Sequence, residues 1–316
     1  MSRDLRTGFG FVLNVLDVSF DVPIEIVPGH CFRRARGDEI RRIRSFLADF
    51  GGAEARIGRT FPYEHRFVQE TETAGSFEVM PPEQWRYYVI ELPPEPTFDT
   101  ANAGVLAAVR ASRLCDVELE CPAVFFEGGG ISYYSPPGVD VFRNVDVMLT
   151  RPSTFTPESA RDVFEVNREV TALSHAHQDV ARAVDMFEAL SPVPRRNGLY
   201  TLGLFSVLEA LLTHDAKGAY DSLTHQIRTK MVLLGRRFAK PLDYVIFGGA
   251  DAASVWSKLY HVRSCIAHGG RVDFGAAKLQ ILKCERAAEE FLLNATKAVL
   301  RHALREPDLV LDLRAC

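Results

Sequence analysis

The strongest constraint on the fold is a change of texture at Arg151-Pro152. Upstream, short runs of alternating Val, Leu, Phe and Ile are broken by proline and glycine clusters. Downstream, apolar residues recur at helical spacing to the end of the chain. At 316 residues the chain exceeds what one core usually serves, so the break predicts an α+β domain over 1–152 and an all-α domain over 153–316.

In the first half, residues 9–27 read as one or two strands, the second starting near Pro23. Ile40, Ile43, Phe46, Leu47 and Phe50 stand three or four residues apart, which predicts a helix over 37–50 stopped by Gly51-Gly52. Residues 85–92 read as a buried strand, Pro93, Pro94 and Pro96 as the turn behind it, and Asp99 as the start of a helix to Leu114. Further strands are expected over 123–127 and 139–149. Gly8-x-Gly10 lacks the remaining glycine of a dinucleotide fingerprint and reads as a terminal turn.

In the second half, Thr156-Pro157-Glu158-Ser159 carries an N-cap and a first-turn proline, and the helix it opens runs to about Leu190 before Pro192 and Pro194. Four more helices are predicted over 199–212, 220–237, 252–267 and 276–302. Short turns favour antiparallel neighbours, so an up-and-down bundle is the economical arrangement. The most apolar stretch, 199–212, is shorter than a bilayer span and contains Glu209, so it reads as a buried helix and no membrane partner is expected.

Six cysteines without a C-x-x-C pair predict reduced thiols rather than a disulfide framework or zinc site, and the N-terminus lacks a signal-peptide pattern. Both point to a cytoplasmic protein. Residues 1–150 hold 15 Arg/Lys against 22 Asp/Glu, while 151–316 hold 22 against 19, so the halves net −7 and +3. A mildly basic second half is compatible with a phosphate-bearing partner.

The predicted fourth helix closes in Leu259-Tyr260-His261-Val262-Arg263-Ser264-Cys265-Ile266-Ala267-His268-Gly269-Gly270. An Arg-x4-His pair alone means little, since about one is expected by chance at this composition. Its setting is more specific: it ends a helix, two glycines follow, and an apolar helix bearing Leu208-Glu209-Ala210-Leu211 precedes it. At about 100° per residue Arg263 and His268 lie roughly 140° apart, so convergence requires the last turn to loosen. The negative end of the helix dipole favours a cation at His268. An imidazole can exchange protons with a ribose hydroxyl or a leaving oxygen, and a guanidinium can hold a phosphate by two hydrogen bonds. With the 2′-hydroxyl as built-in nucleophile, RNA cleavage needs no metal or other cofactor.

These residues resemble the HEPN superfamily, in particular its Apea-like branch, over roughly the C-terminal half. The resemblance implies a metal-independent endoribonuclease acting on RNA, of toxin or phage-defence type. It also implies a homodimer that brings two motifs into one cleft. Arg263 and His268 would be catalytic, with Ser264, Glu209 and Tyr260 in support. Many domains of this kind are noncatalytic, so an RNA-, nucleotide- or protein-binding dimer module is the alternative.

Arg228, Lys230, Arg236 and Arg237 read as a weak RNA track on the predicted third helix, with Lys240 beyond them. Arg33-Arg34-x-Arg36 and Arg41-Arg42-x-Arg44 read as a solvated helix face more than a phosphate grip. His175-x-His177 splays its side chains on a helix and is not a metal pair.

Overall fold

In the computed structural model, the residues described are 6–49, 60–69, 75–95, 97–133, 154–214 and 222–316. The chain divides into two compact units, Met1–Arg168 and Glu169–Cys316.

The first unit is α/β. Strands β1 (Arg6–Val12), β3 (Ile24–Val27), β4 (His30–Arg34), β7 (Tyr88–Glu95), β8 (Ala123–Phe126) and β9 (Ile131–Tyr133) form one sheet in the order β3-β4-β7-β1-β8-β9. Every pairing in it is antiparallel. The short helix α2 (Phe61–Glu64) leads into β5 (His65–Gln69), which forms a separate ribbon with β6 (Gly75–Val79).

Alternation along the central strand β1 sends its residues to opposite faces. Phe9 and Phe11 join Phe125, Val89 and Tyr87 beneath α1 (Gly37–Asp49), whose Ile43, Phe46 and Leu47 complete that core. Phe9 stacks on Phe125 at 4.9 Å, and Phe46 meets Phe125 edge-on at 5.8 Å. Gly10 faces the other way, towards α3 (Phe98–Ser112): a Cβ there would stand 3.2 Å from Val105 Cγ1 and 2.9 Å from Cys121 Sγ. Gly8 and Gly10 therefore lie inside a central strand rather than in a terminal turn, because close approach leaves no room for side chains.

The predicted strand over 85–92 extends through Pro93-Pro94 to Glu95 instead of turning there. The register with β1 shifts between Gly8 and Arg6, and β4 pairs only with Tyr88 to Glu91, so neither proline interrupts a pairing with β4. Thr97 rather than Asp99 starts α3: its hydroxyl accepts from the Thr100 N–H in a capping box. The strand expected over 139–149 lies outside the described residues. Strand β10 (Thr154–Phe155) pairs in parallel with β2 (Asp17–Val18), and Phe155 packs on Phe32 at 4.6 Å. The first unit thus continues past residue 152, and the division between units falls within α4 (Pro157–Thr171).

The second unit is helical: the end of α4, then α5 (Gln178–Glu188), α6 (Gly198–Leu212), α7 (Leu223–Leu234), α8 (Ala252–Ala267), α9 (Glu285–Arg305) and α10 (Pro307–Ala315). The stretch 157–190 is two helices, not one. Ser174 and His177 bond each other at 3.0 Å in the 3-10 turn His175–His177, and His177 also bonds Asp308 at 3.0 Å, so local side-chain bonds replace the helical ladder. The helix expected from 276 begins only at Glu285, after turns that include Lys283 at φ 61°.

The apolar stretch is a buried helix, as its sequence predicts. α6 is capped by the Asn197 side chain, which accepts from the Leu199 N–H at 2.9 Å. It packs against α5, α7, α8, α9 and α10. A helix apolar on all sides is satisfied only by neighbours on all sides. α8 lays Val255, Trp256, Leu259, Tyr260 and Val262 inward, and Trp256 joins Phe291 of α9 at 5.8 Å.

Candidate functional site

Glu209, in the last turn of α6, accepts from two α8 residues one turn apart. Tyr260 Oη donates to Glu209 Oε1 at 3.2 Å, and Arg263 Nη2 donates to Oε2 at 3.1 Å. Arg263 Nε also lies 3.0 Å from Oε1, although its N–H points off the carboxylate, so this contact is an ion pair rather than a second hydrogen bond. The side chains of Arg263 and Glu209 are only 27% and 16% exposed. The guanidinium carbon sits 5.6 Å over the Tyr260 ring, which is held edge-on by Phe205 at 5.7 Å. Burial, and then the Glu209 charge, push the Tyr260 hydroxyl up to about 12, so it stays a donor across the neutral range.

The end of α8 is regular. The Gly269 N–H bonds the Ile266 carbonyl at 3.0 Å and the Gly270 N–H bonds the Cys265 carbonyl at 2.8 Å, with Gly269 at φ 71°. This is a Schellman motif, and it needs the residue after the C-cap to be left-handed. Gly269 supplies that conformation as its sequence predicts. His268 is the C-cap at φ −94°, ψ 12°, and is exposed. The last turn therefore does not loosen. Arg263 and His268 keep an angular offset of roughly 140° and an axial separation of about 7.5 Å.

Of the residues singled out in the sequence, the fold brings together Glu209, Tyr260 and Arg263. His268 stands apart on the solvent side, and Ser264 is half-buried outside the cluster. On α8 the sequence reading passed over His261 and Cys265, whose Nε2 and Sγ lie 3.5 Å apart. The His-x3-Cys spacing was the available signal, because residues four apart are helix neighbours. Burial lowers the His261 imidazole's pKa, and the nearby Lys278 and Lys258 lower it further.

The fold buries Lys230 and leaves Arg236 and Arg237 of the basic track exposed. Lys230 is 5% exposed and donates from Nζ to the Arg314 carbonyl at 3.1 Å, capping the end of α10. Arg236 and Arg237 follow the end of α7, and Arg237 Nη1 lies 3.6 Å from Glu306 Oε2. Arg228 contacts His225 Nδ1 at 3.1 Å. Lys230→Ala is expected to cost about 0.5–1.5 kcal/mol, the worth of one hydrogen bond, since His214 Nδ1 still lies 2.9 Å from the Arg314 carbonyl, while leaving RNA affinity unchanged. Urea unfolding beside a filter-binding titration checks both; weaker RNA binding at unchanged stability would restore Lys230 to the track.

The N-terminal arginines are also committed elsewhere. Arg33 is buried against Glu39 at 2.7 Å and Glu91 at 2.8 Å. Arg42 lies 5.4 Å over the Phe9 ring and donates to the Phe126 carbonyl at 2.9 Å. Arg44 lies 4.9 Å over Trp85 and pairs with Glu64 at 3.1 Å. Arg33 and Arg42 are packing cations, whereas Arg34, Arg36, Arg41 and Arg44 stay exposed, as expected of a solvated face. A hollow of about 400 Å³ borders Phe20, Arg33, Arg34, Glu83 and Tyr88, but Arg34 already donates to the Glu83 carbonyl at 2.8 Å. Among the described residues no helix is long and apolar enough to cross a membrane.

Comparison with protein-family models, curated proteins and solved structures returns no match.

Proposed function

We propose that the helical unit is a HEPN-type up-and-down bundle that cleaves RNA without metal, Arg263 clamping the phosphate and His268 moving the proton. The reading is carried by the manner in which Glu209 and Tyr260 hold Arg263. A guanidinium has five N–H donors in a rigid planar fork. Glu209 occupies the Nε/Nη2 edge, so the remaining edge is oriented and available for two phosphate oxygens. His268 has an open approach from solvent at the end of the same helix.

Within one chain the two groups face different sides of α8, so the reading requires a homodimer in which the arginine of one copy and the histidine of the other border a shared strand of RNA. Glu209 and Tyr260 are positioning residues in this scheme. The N-terminal unit would sense or restrain the activity, in keeping with a toxin or phage-defence effector working in the cytoplasm.

One observation favours a second reading. The Arg263–Glu209 pair is already closed inside a single chain, as expected of a module that binds RNA, a nucleotide or a protein without chemistry. Incubating the purified chain with single-stranded RNA in EDTA and mapping the ends separates the two. Cyclic phosphate termini are expected, because attack by the 2′-hydroxyl leaves them. Salt-dependent binding of intact RNA with no cleavage would replace the first reading by the second.

A further inference from the structure

The face of α8 opposite Arg263 carries a second set of chemically competent groups. Taking His261 as origin, Cys265 and His268 fall within a sector of about 60° at about 100° per residue, whereas Arg263 lies roughly 160° away. The three occur at steps of four and three residues, the two spacings at which helix side chains are neighbours. His268 is exposed, whereas His261 and Cys265 are partly buried.

We propose that His261 and Cys265 anchor a site for a soft divalent transition metal of the zinc class, with the His268 imidazole as third ligand. The geometry points to it directly. A metal with sulfur at about 2.3 Å and nitrogen at about 2.0–2.1 Å, the two ligands at a tetrahedral angle, sets them about 3.5 Å apart. Cys265 Sγ and His261 Nε2 stand 3.5 Å apart. The two groups hydrogen-bond each other, and their separation is also that of one edge of a coordination tetrahedron.

Among the described residues no three such side chains stand assembled around a point. His268 reaches the metal by rotating an exposed side chain, and water completes the shell. Lys258 and Lys278 lie near His261 and oppose a dication. The thiolate charge offsets them, which selects metals with strong bonds to sulfur over magnesium or calcium. Loading the site releases the thiol proton to solvent and changes no oxidation state. A metal held there withdraws His268 from proton transfer, so zinc would inhibit RNA cleavage. That consequence, unlike the metal site itself, rests on the function proposed above.

The test is a titration of Co²⁺ into the reduced, untagged full-length chain. One equivalent is expected to develop a thiolate-to-cobalt charge-transfer absorption that Zn²⁺ displaces. Cys265→Ser should abolish the band, and His261→Gln and His268→Gln should each weaken binding by on the order of tenfold or more. Cys284→Ser and Cys316→Ser, which alter the exposed thiols elsewhere, should leave the band in place. Absence of a band in the parent, or an unchanged band in Cys265→Ser, overturns the proposal; an unchanged affinity in His268→Gln overturns the third ligand. Circular dichroism verifies that the variants are helical, and His261→Gln decides if Cys265→Ser does not fold. A chain that binds Co²⁺ through Cys265 but never cuts RNA keeps the metal site and loses the nuclease.

Discussion

Alanine at position 268 is expected to lower cleavage of single-stranded RNA in EDTA by on the order of 10²- to 10⁴-fold, the usual contribution of a positioned general acid or base. The same change should move stability by less than about 0.5 kcal/mol, since His268 is exposed and its backbone bonds do not involve its ring. Thermal unfolding and end-mapped cleavage of one preparation therefore separate chemistry from folding. A variant that cuts as fast as the parent would remove His268 from the reaction. Arg263→Ala should also reduce cleavage, but it leaves Glu209 half-buried without its cation, so some loss of stability is expected with it.

The largest effect on folding is expected at Arg33. The residue is 6% exposed, and its guanidinium forks onto Glu39 at 2.7 and 2.8 Å while its Nε donates to Glu91 at 2.8 Å. Burial opposes the charge, but the hydrogen bonds to the two carboxylates outweigh it and hold the group protonated. Arg33→Ala leaves Glu39 buried and uncompensated, so the first unit should lose about 3–5 kcal/mol. Arg33→Met with Glu39→Gln removes both charges and should recover much of that loss. The pH dependence has a definite sign. Hydrogen bonding from Arg33 holds the Glu91 pKa below its ordinary value of 4.5, so its contribution is present above that value and fades as the pH falls through the lower folded one. The gap between parent and Arg33→Ala should therefore narrow in acid. Denaturant titrations at neutral pH and at about pH 3 check this, and a gap that stays constant would place the stabilisation elsewhere.

What the sequence makes legible is local. Thr156-Pro157 before one apolar run and Gly269-Gly270 after another are cap signals, and each marks a helix end in the structure. The two-part division was legible as a change in periodicity, although not the return of Thr154-Phe155 to the first unit, because strand pairing with Asp17-Val18 leaves no trace in local spacing. The same limit explains Gly8 and Gly10, whose reason lies in Phe125, Val105 and Cys121. Lys230 read as a surface cation since its partner, the Arg314 carbonyl, is a backbone atom far along the chain. In the candidate site, Glu209 and Tyr260 were legible as companions of Arg263. The regular helix end that separates Arg263 from His268 was not, because the same two glycines are compatible with a loosened or a tight finish.

α6 has a consequence for how this molecule can vary. The helix that presents Glu209 to α8 is also the one most of the second unit is built around, with Leu204, Phe205, Val207, Leu208, Leu211 and Leu212 all buried. A change of side-chain volume anywhere along it would reach the carboxylate through the backbone within a turn or two. Tolerance of mutation and preservation of the site are thus coupled in one element. Lineages of this chain would have room to diversify along solvent-facing helices long before they could redesign α6.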